Sequence, residues 1–171
     1  TGSVLTKDDL TELVNLSEKH RFLIFSDEVY KFLEYSTKTR IPSVCDLTEN
    51  GISLNVMSKS FGLAGLRIGW IATKNKELYN DIAAYKDYTT ISNSAPSEYL
   101  AIIALKNKKQ ILSRNQTIIT DNLSALESFF AKHTDLFSWK PPAAGPIAFP
   151  SLKNGNVDRF CHNLLNKAGV L

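Results

Sequence analysis

The feature that most restricts the fold is a short apolar run that ends abruptly. Phe22-Leu23-Ile24-Phe25 is continuous, without the alternation of a half-exposed strand, and it stops at Ser26-Asp27-Glu28. A strand covered on both faces reads this way, and such strands belong to parallel sheets whose crossovers are helices. Polar residues at the end of such a strand face the crevice outside the carboxyl edge of the sheet. Asp27 and the following Val29-Tyr30 therefore sit where chemistry is to be sought.

The flanking segments extend this pattern. Residues 6–20 read as a helix, with Thr6 as N-cap, Asp8 and Asp9 in the first turn, and Leu10, Leu13 and Val14 on one face. A polar loop containing Pro42 follows the first strand, and Asn50-Gly51 marks a turn. Residues 52–57 and 69–73 are the second and third candidate strands, separated by a glycine-punctuated segment, Ser58 to Arg67. Leu78, Ile82 and Tyr85 then repeat at helical spacing. After a polar loop, Pro96 or Ser97 opens a helix through Leu105, and residues 108–132 form one long helix. Four of the six prolines fall between Lys140 and Pro150, which predicts irregular structure or edge strands in another layer. A last helix covers 157–167 and ends near Gly169.

This order predicts an α/β protein: part of a parallel sheet, a connecting helix, and the start of a smaller α+β domain. The divisions fall at residues 1–107, 108–134 and 135–171. Three parallel strands are too few to be covered on two faces. The chain also opens directly before a helix and closes at Gly169-Val170-Leu171, where a strand is expected. It reads as a fragment.

Composition narrows the function classes. Basic residues number 20 against 17 acidic, and they are scattered with no aromatic interleaving, so no nucleic-acid footprint is present. The run Lys106-Asn107-Lys108-Lys109 reads as a solvated helix boundary. Cys45 and Cys161 lie far apart, as free thiols of a reducing compartment do. His20, His133 and His162 lack ligand spacing, so no metal is expected. The longest apolar stretch, Tyr99 to Leu105, is too short to cross a bilayer, and no signal-peptide pattern opens the chain. The expectation is a cytoplasmic protein with no membrane partner.

Two constellations carry chemistry. Lys59 lies just past a strand, and Arg67 follows eight residues later, beyond Gly62 and Gly65. A lysine that is partly desolvated beside a fixed cation loses its proton more readily and can attack a carbonyl. An arginine is a permanent, bidentate phosphate binder. A nucleophilic amine with a phosphate clamp suits an aldehyde cofactor that bears a phosphate. The same pair also fits a surface lysine and arginine flanking a hairpin. Asp27 either caps the next turn or faces a protonated ring nitrogen, keeping the ring an electron sink. Tyr30, three residues on, falls on the same side if the chain turns helically.

Together these residues resemble a family. Asp27-Glu28-Val29-Tyr30, Ser58-Lys59 and the run Gly62-Leu63-Ala64-Gly65-Leu66-Arg67-Ile68-Gly69 are similar to the fold-type-I pyridoxal-phosphate enzymes, specifically the class I/II aminotransferases of the aspartate aminotransferase type. The opening Thr1-Gly2 resembles the end of that family's Asn-Pro-Thr-Gly motif. The resemblance implies the large-domain sheet of the aspartate aminotransferase-like fold, pyridoxal 5′-phosphate as cofactor, and amino-group transfer between an amino acid and a 2-oxo acid. It implies that Lys59 forms a Schiff base with the cofactor and then moves the proton. It further implies that Asp27 binds the pyridine nitrogen, Tyr30 the ring oxygen, Arg67 the phosphate, and Ser58 the phosphate by a hydrogen bond. Val56 departs from the pattern, since the family carries Ser or Gly there and valine offers no hydroxyl. The loop from Tyr88 to Ser97 corresponds to a stretch that approaches the neighbouring subunit, so a homodimer is implied. A plain solvent loop fits the same residues. A C–S lyase or decarboxylase of this fold, or the sensor domain of a transcription regulator, would share these motifs. The isolated fragment, lacking half a site, is expected to be inactive.

Overall fold

The computed structural model describes residues 2–170; Thr1 and Leu171, and with Thr1 half of the Thr-Gly remnant, lie outside the described residues. Helix α1 spans Lys7–His20. Thr6 caps it reciprocally: its hydroxyl accepts from the Asp9 N–H at 3.1 Å, and the Asp9 carboxylate accepts from the Thr6 N–H at 2.9 Å. Those bonds from Thr6 hold the Asp9 carboxyl below its ordinary pKa. The chain then enters β1, Ile24–Asp27, and a four-residue helix α2, Val44–Leu47, sits in what the sequence presents as a polar loop. Strand β2 covers Gly51–Val56 and β3 Gly69–Ala72.

The sheet departs from expectation in its direction. Strands β1 and β2 are parallel, with Ile24 opposite Gly51 and Asp27 opposite Leu54. Strand β3 runs antiparallel to β2, with Val56 opposite Gly69 and Ser53 opposite Ala72. A helical crossover is what parallel strands require, and residues 57–68 contain only a three-residue 3-10 turn, Ala64–Leu66. The segment therefore returns along the same sheet edge. Gly69 is needed at the point of return. A Cβ there would lie 2.8 Å from the Val56 Cγ1 and 2.9 Å from the Asn55 carbonyl oxygen.

Burial of β1 also differs from a strand enclosed on both faces. Ile24 is buried with Leu10 of α1 and Val44 of α2, supported by Leu13, Val14 and Ile41. Phe25, on the other face, is 57% exposed, as the alternating side chains of a strand covered on one face require. A second cluster joins Met57, Phe61, Ala101 and Ala104, backed by Leu63, Leu66, Ile68 and Ile111. It packs the loop after β2 against the later helix that carries Ala101 and Ala104.

Helix α3 spans Lys76–Thr89, α4 Ala95–Lys106 and α5 Lys108–Lys132. Helix α4 opens one residue before Pro96, with Ser94 as N-cap, because proline is tolerated in the first turn where its missing N–H costs nothing. The end of α5 stacks Phe130 on Trp139, ring centroids 4.5 Å apart. Strands β4, Phe137–Ser138, and β5, Ser151–Leu152, form a two-stranded antiparallel ribbon. Helix α6, Val157–Ala168, closes the described chain and ends at Gly169 in the left-handed conformation. Between the ribbon strands, the proline-rich segment is irregular. It packs back on the start of the chain: the Ala143 N–H donates to the Gly2 carbonyl at 2.7 Å, and the Gly145 N–H to the Leu33 carbonyl at 3.0 Å. Among the described residues, no helix is long and apolar enough to cross a membrane.

Candidate active site

The carboxyl ends of β1 and β2 lie side by side, and β3 begins at that same edge. Asp27 ends β1, Lys59 follows β2 by three residues, and Arg67 precedes β3 by two. The sheet thus brings the three backbones to one edge.

The side chains are placed less uniformly. Asp27 and Tyr30 line a cavity of about 540 Å³, which Gly2, Ser3, Glu34 and the segment Ala144–Ile147 help to enclose. Ser58, Lys59 and Arg67 do not line it. Lys59 is exposed, and its Nζ stands 5.8 Å from the centroid of the Tyr30 ring. The desolvation expected of this lysine is absent, because the described residues put no layer over it. It makes no ion pair among them.

Arg67 is also exposed and carries a left-handed backbone, φ 54°. Its Nη1 donates to the Ala64 carbonyl at 3.1 Å, so the guanidinium turns back on its own loop. Of the two glycines between Lys59 and Arg67, Gly62 reverses the chain, with φ 68°, whereas Gly65 has an ordinary backbone and Arg67 itself makes the second reversal. Ser58 is half-buried. Asp27 Oδ1 accepts from the Val29 N–H at 3.1 Å, which caps the turn that follows. Its other oxygen has no partner among the described residues.

Sequence reasoning missed what holds this edge in place. The Glu28 carboxylate accepts from Ser43 Oγ at 2.6 Å, Ser53 Oγ at 2.8 Å, the Val44 N–H at 3.0 Å and Lys31 Nζ at 3.3 Å. It thereby caps α2 and ties that helix to β2. Burial pushes the Glu28 carboxyl up, yet the bonds from Ser43, Val44 and Ser53, with the Lys31 charge, outweigh it and hold the pKa below the ordinary value. Next along the chain, Phe32 adopts φ 76°, a strained conformation for an aromatic residue. Its carbonyl accepts from Gln116 Nε2 at 3.0 Å, and its N–H donates to Glu34 Oε1 at 3.2 Å. Arg40 pairs with Glu34 at 2.9 Å and covers the Phe32 ring at 4.9 Å. These partners lie up to 84 residues apart in sequence, so no local signal could have announced them.

With this geometry in hand, comparison with known proteins is decisive. The description "Aminotransferase class I and II" matches residues 1–171. The chain belongs to the class I and II aminotransferase family. It is 35% identical over 176 residues to a histidinol-phosphate aminotransferase of Caldanaerobacter subterraneus, covering 100% of this chain and 48% of that protein. It is 30% identical over 186 residues to an aspartate aminotransferase of a Bacillus species, covering 99% and 45%. Its fold superposes on a PLP-dependent aminotransferase from Streptococcus suis with a TM-score of 0.91 at 33% identity, covering 100% and 45%. The chain spans less than half the length of the curated relatives it matches. The expected fold class stands: these are strands and helices of the aspartate aminotransferase-like fold, with β3 antiparallel to β2.

Proposed function

We propose that the protein moves an amino group between an amino acid and a 2-oxo acid, using pyridoxal 5′-phosphate. One observation carries the reading: at the sheet edge where Asp27 faces a cavity, the Lys59 amine lies against the Tyr30 ring without a carboxylate partner. The donor set fits the group: an unpaired amine, a carboxylate with one free oxygen, a phenol and a guanidinium. The names of the aminotransferase relatives support the same chemistry.

When bound, pyridoxal 5′-phosphate supplies an aldehyde to take up the amino group and a pyridinium ring to draw electron density from the substrate Cα. Lys59 would supply the amine that holds the cofactor's aldehyde and would carry the proton to and from the substrate Cα. Asp27 would keep a proton on the ring nitrogen through its free oxygen. Tyr30 would donate its hydroxyl to the ring oxygen, while Arg67 and Ser58 would hold the phosphate.

Reduction with borohydride in the presence of pyridoxal 5′-phosphate, followed by peptide mass spectrometry, tests the reading. Label on Lys59, together with product formed only when a 2-oxo acid is present, is expected. Label elsewhere, or ammonia released without an acceptor, would sink it.

The finer organisation belongs to this proposal. Residues 1–107 are read as the later part of the large domain, 108–134 as the connecting helix, and 135–171 as the beginning of the small domain. The protein is read as a cytoplasmic homodimer. Tyr88 in the last turn of α3 and Ile91 just beyond its C-cap, 89% and 76% exposed, support an apolar contact between subunits there.

A further inference from the structure

Resting on the function proposed above, the structure assigns Ser60 as a positioning residue: its hydroxyl ties the turn carrying Tyr30 to the loop carrying Lys59 and sets the phenol against the amine. Ser60 is 3% exposed. Its Oγ donates to the Val29 carbonyl at 3.0 Å and shares the same proton with the Lys31 carbonyl at 2.5 Å. Val29 and Lys31 are the residues on either side of Tyr30, so one hydroxyl grips the Tyr30 backbone from both flanks.

The grip has fixed footing on each side. The Ser60 carbonyl accepts from Asn115 Nδ2 of α5 at 3.0 Å, and the Gly62 N–H closes on the Lys59 carbonyl at 3.0 Å. On the opposite side, the Lys31 ammonium is anchored on Ser43 Oγ at 2.8 Å and on the Ile41 carbonyl at 3.2 Å. Among the described residues, the two bonds from Ser60 are the only hydrogen bonds joining residues 29–33 directly to residues 57–63. The 5.8 Å separation between Lys59 Nζ and the Tyr30 ring therefore depends on them. Without the hydroxyl, two half-buried carbonyls lose their donor and the two segments lose a common register.

The test uses the whole native protein carrying pyridoxal 5′-phosphate and follows the pH midpoint of the cofactor's absorption band. A phenol donating to the ring oxygen favours that oxygen's anionic form, so losing the donor moves the midpoint upward. Tyr30→Phe gives the full displacement. Ser60→Ala is expected to give a shift in the same direction of about one pH unit, the scale of one lost hydrogen bond. The double variant should move little further than Tyr30→Phe alone, because both changes remove the same contact. Ser60→Thr, which keeps the hydroxyl, should restore the original midpoint. In the cofactor-free protein, amide exchange in Ser60→Ala should rise at the Leu33 and Gly62 N–H groups and not in α1. An unmoved midpoint in Ser60→Ala, shifts that add in the double variant, or exchange raised uniformly would overturn the assignment. A native protein whose band does not titrate and whose Lys59 takes no borohydride label would instead remove the underlying function, and the assignment with it. If Ser60→Ala does not fold, Ser60→Cys, a weaker donor, carries the same comparison, and a midpoint equal to that of the unchanged protein counts against the role.

Discussion

Asp27 and Glu28 are neighbours in sequence at the end of one strand, and the fold treats them in opposite ways. Glu28, with its side chain 10% exposed, is saturated by two hydroxyls, a backbone N–H and an ammonium. Asp27 is exposed, borders the cavity and spends one oxygen on the next turn. Lys31 and Lys59 repeat the contrast: the first is bound to Glu28, Ser43 and a carbonyl, while the second has no ion pair among the described residues and stands 5.8 Å from an aromatic centroid. Successive residues of an extended chain point to opposite sides, so one side carries structure and the other is left free for chemistry. In the proposed function the free groups are the ones that react, and the satisfied ones hold their backbones still.

If this division is right, variants on the two sides should separate activity from stability. Lys59→Ala should lower turnover by roughly 10⁴-fold, the loss of both its amine and its proton transfer, with the unfolding midpoint unchanged. Steady-state assay beside thermal denaturation reads both quantities, and substantial remaining turnover would break the division at its most reactive member. Asp27→Ala should cost about 10²–10³-fold in turnover, as removal of one preorganised electrostatic partner does, again with little change in stability. Glu28→Gln should behave in reverse, losing about 2–4 kcal/mol in urea denaturation because Lys31 is left without its counter-charge. A Glu28→Gln protein of unchanged stability would mean that the network follows the fold and does not secure it.

The smallest effect is a pH dependence. The folded pKa of Glu28 lies below its unfolded value, so its contribution is fully present above the unfolded pKa. It is lost as pH falls through the folded pKa. Urea midpoints measured down through the acid range should therefore fall more steeply in the native protein than in Glu28→Gln.

Legibility in the sequence followed the range of the interactions. Helix α5 was readable to its last residue, Lys132, because its apolar spacing runs over many turns. The cap at Thr6 was readable because both partners lie three residues apart. Helix α2 was not, since four residues are too few for a periodic signal and Pro42-Ser43 looks like a turn. The direction of β3 was equally hidden, because an apolar run has no arrowhead. At the candidate site, the position of Asp27, Lys59 and Arg67 at strand ends was legible, whereas exposure and side-chain aim were not. Arg67 turns to Ala64, and Glu28 finds partners 15 and 25 residues away.

Strand β3 has a mechanical corollary. Since it doubles back on β2, residues 57–68 form a handle whose two feet, Val56 and Gly69, stand shoulder to shoulder. At the top of the handle, a Cβ added at Gly65 meets nothing within 4 Å among the described residues, so a side chain fits there without disturbing either foot. A residue inserted between Val56 and Lys59, or between Arg67 and Gly69, would swivel the amine or the guanidinium away from the rim. Evolution and protein engineers alike have room to edit the crest of this handle, and almost none at its base.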